Sequence, residues 1–350
     1  KTPGPHNQPE VARELIGRFA QRAFRRPLRS GELDRLTRFH AMVTEDGGRF
    51  EEGVKLALQA VLVSPHFLFR GELQPEPNNP QAVFPIDEFS LASRLSYFLW
   101  STMPDDELFA LADKGALREN LEAQVRRMIT DPKSGALVRN FAGQWLQLRN
   151  LDLVAPARET FPEFDDALRA AMRRETELFF EHVMRENRSV LDFLDADYTF
   201  VNERLAGHYG LKDVQGDDFR KISLQGTPRG GIITHASILT ITSHQTRTSP
   251  VKRGLYVMDN ILGVPPPPAP PNVPPLQEQN TAELTGTLRQ RMEQHRVDPV
   301  CASCHARMDP IGFGLENFDA VGRWRTKEGQ FDIDASGQLV TGEAFQGPEE

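Results

Sequence analysis

A run of prolines divides the sequence near residue 270. Eight of the twelve residues from Val264 to Pro275 are proline, so the stretch lacks most of its backbone donors and can form neither a helix nor a central strand. Such a run favours the extended polyproline II conformation and behaves as a stiff spacer. It predicts a semi-rigid connection into a separate domain, and a docking site for a proline-binding partner is the alternative.

Apolar residues before the spacer recur at helical spacing. The first stretch shows it at Leu15 and Phe19, and a linker rich in proline and asparagine follows it. Asp87 then precedes a second long helical pattern, because a carboxylate at that position can cap the amino end of a helix. We expect a small helical unit over residues 8–75 and a central helical domain over residues 82–215.

The remainder of the chain contains two further parts. We assign residues 216–275 to a distal segment that ends in the proline spacer, and residues 280–350 to a separate domain that we expect to continue beyond residue 350. Within the distal segment, the β-branched run 232–242 fits either a short strand or a buried helix. A helix over Glu283–Arg296 is predicted to lead into the last domain. The predicted fold is mostly α and multi-domain.

Both cysteines of the chain lie in one motif. Cys301 and Cys304 are three residues apart, and His305 follows directly. In this pattern two thiols form thioether bonds to the vinyl groups of haem, and the adjacent imidazole ligates the iron. On a helix the three side chains share one face. We therefore predict one covalent haem c, with Cys301 and Cys304 as attachment residues and His305 as an axial iron ligand.

Two other chemistries use a pair of cysteines at this spacing. A structural zinc site needs about four ligands, usually from two such pairs, and the sequence contains one pair. A redox-active thiol pair would leave His305 without a role and usually accompanies a βαβ pattern. Both stay open as alternatives to haem.

Charge and location follow from composition and from the haem chemistry. The net charge of −8 argues against a nucleic-acid partner, because phosphate recognition needs clustered Lys and Arg in excess. No stretch has the roughly 20 apolar residues of a membrane helix. Covalent attachment takes place in an exported compartment, so we expect a periplasmic or extracellular protein.

The distal side of the haem has several candidate ligands. His235 is our prediction for the sixth iron ligand, and His244, Met258 and Met308 are alternatives. A histidine that only makes hydrogen bonds inside the protein is the other interpretation of His235. Arg253 is predicted to bind a haem propionate through charge-assisted hydrogen bonds.

The sequence resembles a family along nearly its whole length. The family consists of large secreted proteins, abundant in planctomycetes, that are strings of domains of unknown function ending in a cytochrome-like haem domain. The resemblance is carried, in order, by ARELIGRFAQRAFRRPL, LALQAVLVSPHFLFR, LASRLSYFLWSTMPDDEL, FAGQWLQLRNL, DADYTFVNERLAGHYG, RTSPVKRGLYVMDNILGVPPPPAPPNVP and CASCHARMDPIGFGLENFDAVGRWR. It implies export, haem binding, further domains upstream and a longer carboxy-terminal module.

One haem and no other cofactor motif favour single-electron transfer with a redox partner protein. An extracellular haem peroxidase or oxidase is the first alternative, and a vacant sixth coordination position would favour it. The second alternative is a structural subunit of a haem-containing homo-oligomer or filament.

The ligand prediction for His235 is tested by absorption spectroscopy of the exported protein in its oxidised and reduced states. A low-spin parent and a high-spin His235→Ala variant are the expected result, because removal of the sixth ligand opens the coordination position. A parent that is already high-spin would contradict the prediction and would favour the enzyme.

Overall fold

The computed structural model describes residues 7–72, 74–267, 286–295 and 299–350, without the side chains of residues 293–295, 299–301 and 303. It shows a mostly helical protein with two compact units, Lys1–Leu137 and Val138–Glu350, which confirms the predicted fold class. The proline spacer beyond residue 267 lies outside the described residues. None of the helices in the described ranges has both the length and the apolarity that crossing a bilayer requires.

The first unit is a set of helices. Its amino-terminal helices pack around a core that includes Ile16, Ala20 and Val61. The apolar spacing predicts the first helix correctly but not its buried face, because Leu15 and Phe19 are exposed. The helices are α1 (Gln8–Phe24), α2 (Glu32–Glu45), α3 (Phe50–Leu62), α4 (Pro65–Leu68), α5 (Glu88–Trp100), α6 (Asp106–Asp113), α7 (Leu121–Thr130) and α8 (Gly135–Leu137).

The second unit combines helices with three short two-stranded sheets. Its helices are α9 (Gly143–Trp145), α10 (Asp166–Arg185), α11 (Asp192–Asp195), α12 (Glu203–Tyr209), α13 (Ala236–Ile241), α14 (Pro250–Tyr256), α15 (Leu288–His295) and α16 (Pro299–Gly314). The antiparallel strand pairs are β1 (Tyr198–Val201) with β2 (Arg220–Ser223), β3 (Lys327–Glu328) with β4 (Phe331–Asp332), and β5 (Ser336–Gln338) with β6 (Ala344–Gln346).

Side-chain caps set where several of these helices begin. Asp87 accepts a hydrogen bond from the backbone N–H of Ser90 at 3.0 Å and thereby starts α5 at the position that the sequence predicts. Asp165 caps α10 in the same way, through the N–H of Leu168 at 2.7 Å. Each cap satisfies a backbone donor that the helix itself leaves unpaired.

The ambiguous run 232–242 is helical. It forms a 3₁₀ turn over Ile232–Thr234 and then α13, whose residues Ala236–Thr240 are all buried. A helix that is buried on all sides shows no amphipathic period, which is why the sequence pattern left the choice open. The predicted helix over 283–296 is shorter in the described residues, where α15 begins at Leu288.

The core of the second unit forms around α10. Phe179, fully buried, stacks on Tyr198 of β1 at a centroid distance of 5.3 Å and packs with Ile232 and Ile238. A second cluster joins Leu168 and Met172 to Val321, which follows α16 in the chain. The core therefore connects α10 to both the distal segment and the region of the cysteine motif.

Helices α14 and α16 approach until their backbones touch. A Cβ atom at Gly254 would overlap the carbonyl oxygen of Met308, and one at Gly312 would overlap that of Pro250. Each helix therefore has a glycine where the other helix passes. Only glycine allows so close an approach, because any side chain would occupy the space of the facing carbonyl.

Replacing Gly312 tests this crossing. We expect Gly312→Ala to lower the free energy of unfolding by about 2 kcal/mol or more, because the two helices must separate to admit the methyl group. Denaturant unfolding measures the change. Gly207→Ala is the matched control: nothing lies within 4 Å of a Cβ there, so its stability should be unchanged or up to about 1 kcal/mol higher. Equal stability of the two variants would contradict the close crossing.

Candidate functional site

Helix α16 carries the cysteine motif. Cys304 and His305 are both half-buried on this helix, and their neighbour Cys301 lies three residues before Cys304, so the three positions share a helix face. The side chain of Cys301 is outside the described part. The prediction that the motif sits on a helix is therefore confirmed, while its attachment to haem stays a prediction.

A buried carboxylate holds the imidazole of His305. The Nδ1 atom lies 2.9 Å from Oδ1 and 3.0 Å from Oδ2 of Asp309, one helical turn further on. The Asp309 side chain is completely buried, whereas 15% of the His305 side chain is exposed. With the Nδ1 proton donated to the carboxylate, Nε2 carries the lone pair. This is the arrangement of a metal-ligating histidine, whose second nitrogen is held by a carboxylate or carbonyl.

This donor set fits the haem c that the sequence predicts. The helix presents a thiol at Cys304 and an imidazole at His305 that Asp309 orients. Cys301 would supply the second thioether. Asp309 was missed in the sequence, although its spacing of four residues from His305 on one helix was a usable signal.

Arg253 lies directly beside the chain that follows α16. It is 1% exposed, and its guanidinium donates to the carbonyls of Leu315 at 2.6 Å, Phe318 at 2.8 Å and Asp319 at 2.7 Å. It also pairs with Glu316 at 3.3 Å. The structure therefore shows Arg253 holding the turn after α16, and its contact with a propionate stays a prediction.

Glu316 completes this buried group. Its carboxylate accepts a hydrogen bond from Thr248 at 2.6 Å and lies 3.3 Å from Arg325 as well as from Arg253. Burial raises the pKa of Glu316, and burial lowers the pKa of Arg253 to about 10. The two arginines and the carboxylate compensate one another, so burial of Arg253 and Glu316 is tolerated beside the partly exposed Arg325.

His235 lies in a different buried cluster. Its Nδ1 is 2.9 Å from the hydroxyl of Thr176, and its Nε2 is 3.5 Å from that of Thr199. Thr199 donates its own proton to Glu175 at 2.7 Å, so its oxygen accepts from Nε2–H, and Nδ1 accepts from Thr176. Burial, with Arg229, lowers the pKa of His235 to about 3. These contacts favour the hydrogen-bonded interpretation, and iron ligation by His235 stays a prediction.

The other candidate ligands are placed as follows. His244 is half-buried, and the Lys252 ammonium lies 3.5 Å from its Nδ1. Met258 is buried after α14. Met308 is buried on α16, the helix that carries His305, and three residues of helix separate the two side chains. A single helix turn cannot place both on opposite sides of a porphyrin.

The centre of the His235 cluster is a carboxyl group that the sequence analysis missed. Glu175 is completely buried on α10 and accepts a hydrogen bond from the Tyr209 hydroxyl at 2.6 Å. Arg229 stacks over the Tyr209 ring, 3.7 Å from its centroid. Burial raises the pKa of Glu175 to about 7. An available signal was the position of Glu175 on the apolar face of α10, three residues after Met172 and four before Phe179.

Three family models match three successive parts of the chain. PSD5 (DUF1595) matches residues 11–72, PSD4 (DUF1592) matches 86–211 and PSCyt3 (DUF1588) matches 229–328, each described as a protein of unknown function. The chain belongs to the planctomycete-type family of domain-string proteins. The name PSCyt3 indicates that the third domain of this family is cytochrome-like, and His235, Arg253, Cys301, Cys304 and His305 all fall within its match. Neither the search of curated proteins nor that of solved structures finds a match.

The buried Glu175 makes the stability of this domain-string protein depend on pH. Its pKa is raised from 4.5 to about 7 in the folded state, so between those values the unfolded state releases a proton that the folded state keeps. The group therefore destabilises the fold increasingly as the pH rises through this window. We expect Glu175→Gln to remove this effect, so that its unfolding free energy relative to the parent rises by up to about 3 kcal/mol from pH 4.5 to 7.

Chemical denaturation across this pH range measures the difference. The lowered pKa of His235 makes the folded protein more stable as the pH rises over the same range. The variant is therefore compared with the parent at each pH, so that this contribution cancels. Asp166→Asn, at a fully exposed position of α10, is the control and should show no such trend. A flat difference for Glu175→Gln would show that Glu175 is ionised throughout.

Proposed function

We propose that the chain binds one haem c covalently through Cys301 and Cys304, with His305 as an axial ligand, and transfers single electrons outside the cytoplasm. The hydrogen bond between His305 Nδ1 and the buried Asp309 carries this proposal, because it fixes the ring and directs Nε2 to act as the ligand atom. The cytochrome-like name of the matched domain supports it. A location outside the cytoplasm follows from the chemistry of covalent attachment.

The zinc and redox-thiol alternatives lack this support. A structural zinc site needs about four ligands, usually from two cysteine pairs, and the sequence contains one pair. A redox thiol pair needs neither His305 nor its buried carboxylate. Haem uses all of these residues.

Each residue of the site has a definite part in this function. The haem would supply one-electron chemistry at its iron. Asp309 fixes the ring orientation of His305 and increases the electron density that the imidazole donates. The glycine crossing between α14 and α16 holds the helix, and Arg253 holds the turn after it. The motif is thereby kept in one geometry, which lowers the reorganisation that accompanies electron transfer.

Peroxide reduction is a second candidate function, and the same hydrogen bond favours it. An axial ligand with strong electron donation supports cleavage of the O–O bond when the opposite coordination position is open. The engagement of both His235 nitrogens by threonines is consistent with an open position. A redox partner protein, or a homo-oligomer or filament of haem subunits, belongs to the electron-transfer function.

Haem attachment is tested with the exported full chain and a Cys301→Ser/Cys304→Ser variant. The parent should give a c-type pyridine haemochrome and keep its haem after denaturation in acid and organic solvent, whereas the variant should lose it because thioether bonds cannot form. Metal analysis of the same samples checks for zinc. A parent without covalent haem would overturn the proposal.

Asp309→Asn tests the role of the buried carboxylate. We expect the reduction potential to rise, because an amide polarises the imidazole less than a carboxylate does and the oxidised iron loses stabilisation. Spectroscopic redox titration measures the potential. Asp259→Asn, at an exposed position after α14, is the control and should leave it unchanged. An unchanged potential in Asp309→Asn would show that the carboxylate acts only in folding.

A further inference from the structure

The first unit contains a cavity of about 500 Å³ that the haem function does not use. It lies where the end of α1, the region around α4 and the start of α5 meet. This volume is within the range of pockets that hold small organic molecules. Its charged lining consists of Arg25, Arg26, Arg29, Arg70, Arg94, Glu72 and Asp87.

Two of the five arginines are neutralised by carboxylates. Arg26 forms a two-pronged pair with Glu32, with both N···O distances 2.9 Å, and Arg94 forms another with Glu72 at 2.5 Å. The hydrogen bonds from Arg26 lower the pKa of Glu32 to about 2. These pairs are part of the cavity wall, and a ligand would have to displace a carboxylate to use them.

The positive charge of the other three arginines is not compensated by a carboxylate of the described residues. Arg25 is buried and donates only to backbone carbonyls, among them those of His66 at 2.7 Å and Phe69 at 2.9 Å. Within the described part of the chain, no carboxylate pairs with Arg25, Arg29 or Arg70. The guanidiniums of Arg25 and Arg70 both lie over the ring of Tyr97, 5.7 Å and 4.4 Å from its centroid.

This convergence of like charges is unfavourable by itself. Two guanidiniums near one ring repel each other, although the ring attracts both, and an anion bound at the cavity side of Arg70 relieves that repulsion. The carboxylate of Asp87 does not supply this charge to the arginines, because it caps α5 through the N–H and the hydroxyl of Ser90. The cavity therefore has the electrostatics of an anion site.

The remaining wall is apolar and aromatic. Phe24, Phe69 and Phe89 line the cavity together with Pro65. Phe69 is 68% exposed, so much of its ring surface is available for contact. A ligand with a flat apolar part would cover it and gain the free energy of burying that surface.

A neighbouring cavity shows that the charge is specific to this site. The second cavity, of about 430 Å³, shares Arg26 and Phe89 with the first. Its other charged residues are Arg22, which pairs with Asp106 at 2.6 Å, and Asp113, so acidic groups outnumber the arginine. It has no surplus of arginine.

We propose that the cavity of the first unit binds a small organic anion, a carboxylate attached to a planar apolar body. Arg29 and Arg70 bind the carboxylate, since guanidiniums match its two oxygens in geometry and charge. Phe69 and Phe89 contact the apolar body. The site is independent of haem.

Isothermal titration calorimetry of the full chain with benzoate tests the proposal. Benzoate should bind, and benzamide, which has the same shape without the charge, should bind at least about tenfold more weakly, because a charge-assisted hydrogen bond contributes more than a neutral one. Arg29→Gln/Arg70→Gln should weaken benzoate binding by a similar factor. Arg38→Gln, an exposed arginine outside the cavity, is the control and should bind as the parent does.

The outcomes separate the parts of the proposal. Unchanged benzoate affinity in the double variant, or no binding by the parent, would overturn the site. Binding of inorganic phosphate but not of benzoate would overturn the apolar body of the ligand. Circular dichroism and the melting temperature of the double variant show whether it is folded, and a second double variant, Phe69→Ala/Phe89→Ala, should lose benzoate affinity with the arginines intact.

Discussion

The contact between the backbones of α14 and α16 is the constraint on which the region of the cysteine motif depends. Two helices separated by side chains can slide or rotate, because side chains adopt new rotamers. Gly254 and Gly312 remove that freedom, since each places a backbone carbonyl of the other helix where a Cβ would be. The position of α16, and with it the orientation of His305, is therefore set by contacts that have no alternative packing.

Several charged or polar side chains of this unit donate hydrogen bonds to the buried backbone that follows α16. The chain after α16 forms turns with backbone hydrogen bonds of their own, and side chains supply further donors to its carbonyls. Arg253 serves three of them, Arg229 donates to the carbonyl of Gly322, and His208 lies 2.7 Å from that of Val321. Arg253, which the sequence suggests as a propionate partner, thus donates to the backbone in the structure, as Arg229 and His208 do. The cost of burying the charges of Arg229 and Arg253 is offset by their hydrogen bonds to carbonyls.

Much of the fold could be predicted from local patterns. The start of α5 at Asp87 and the helical nature of the cysteine motif depend on residues a few positions apart, and such interactions are visible in the sequence. The strand pair β1 and β2 was not predicted, because its partners are joined through α12 and pair only in the folded chain. The candidate site divides in the same way. Asp309 was within reach of a spacing argument, whereas the contacts of His235 come from α10 and β1, far away in the sequence.

The sequence by itself determined the chemistry of the motif and the helical character of the chain. Two thiols and an imidazole at fixed spacing specify their possible bonds wherever they lie, and helical periodicity is a local property. Only the tertiary structure decided which polar groups became buried and what they faced. It put His235 between two threonines and Arg253 against backbone carbonyls. It also put around one cavity three arginines that pair with no carboxylate of the described residues. The roles of imidazole and guanidinium groups depend on their partners, and partners distant in sequence are assigned by packing.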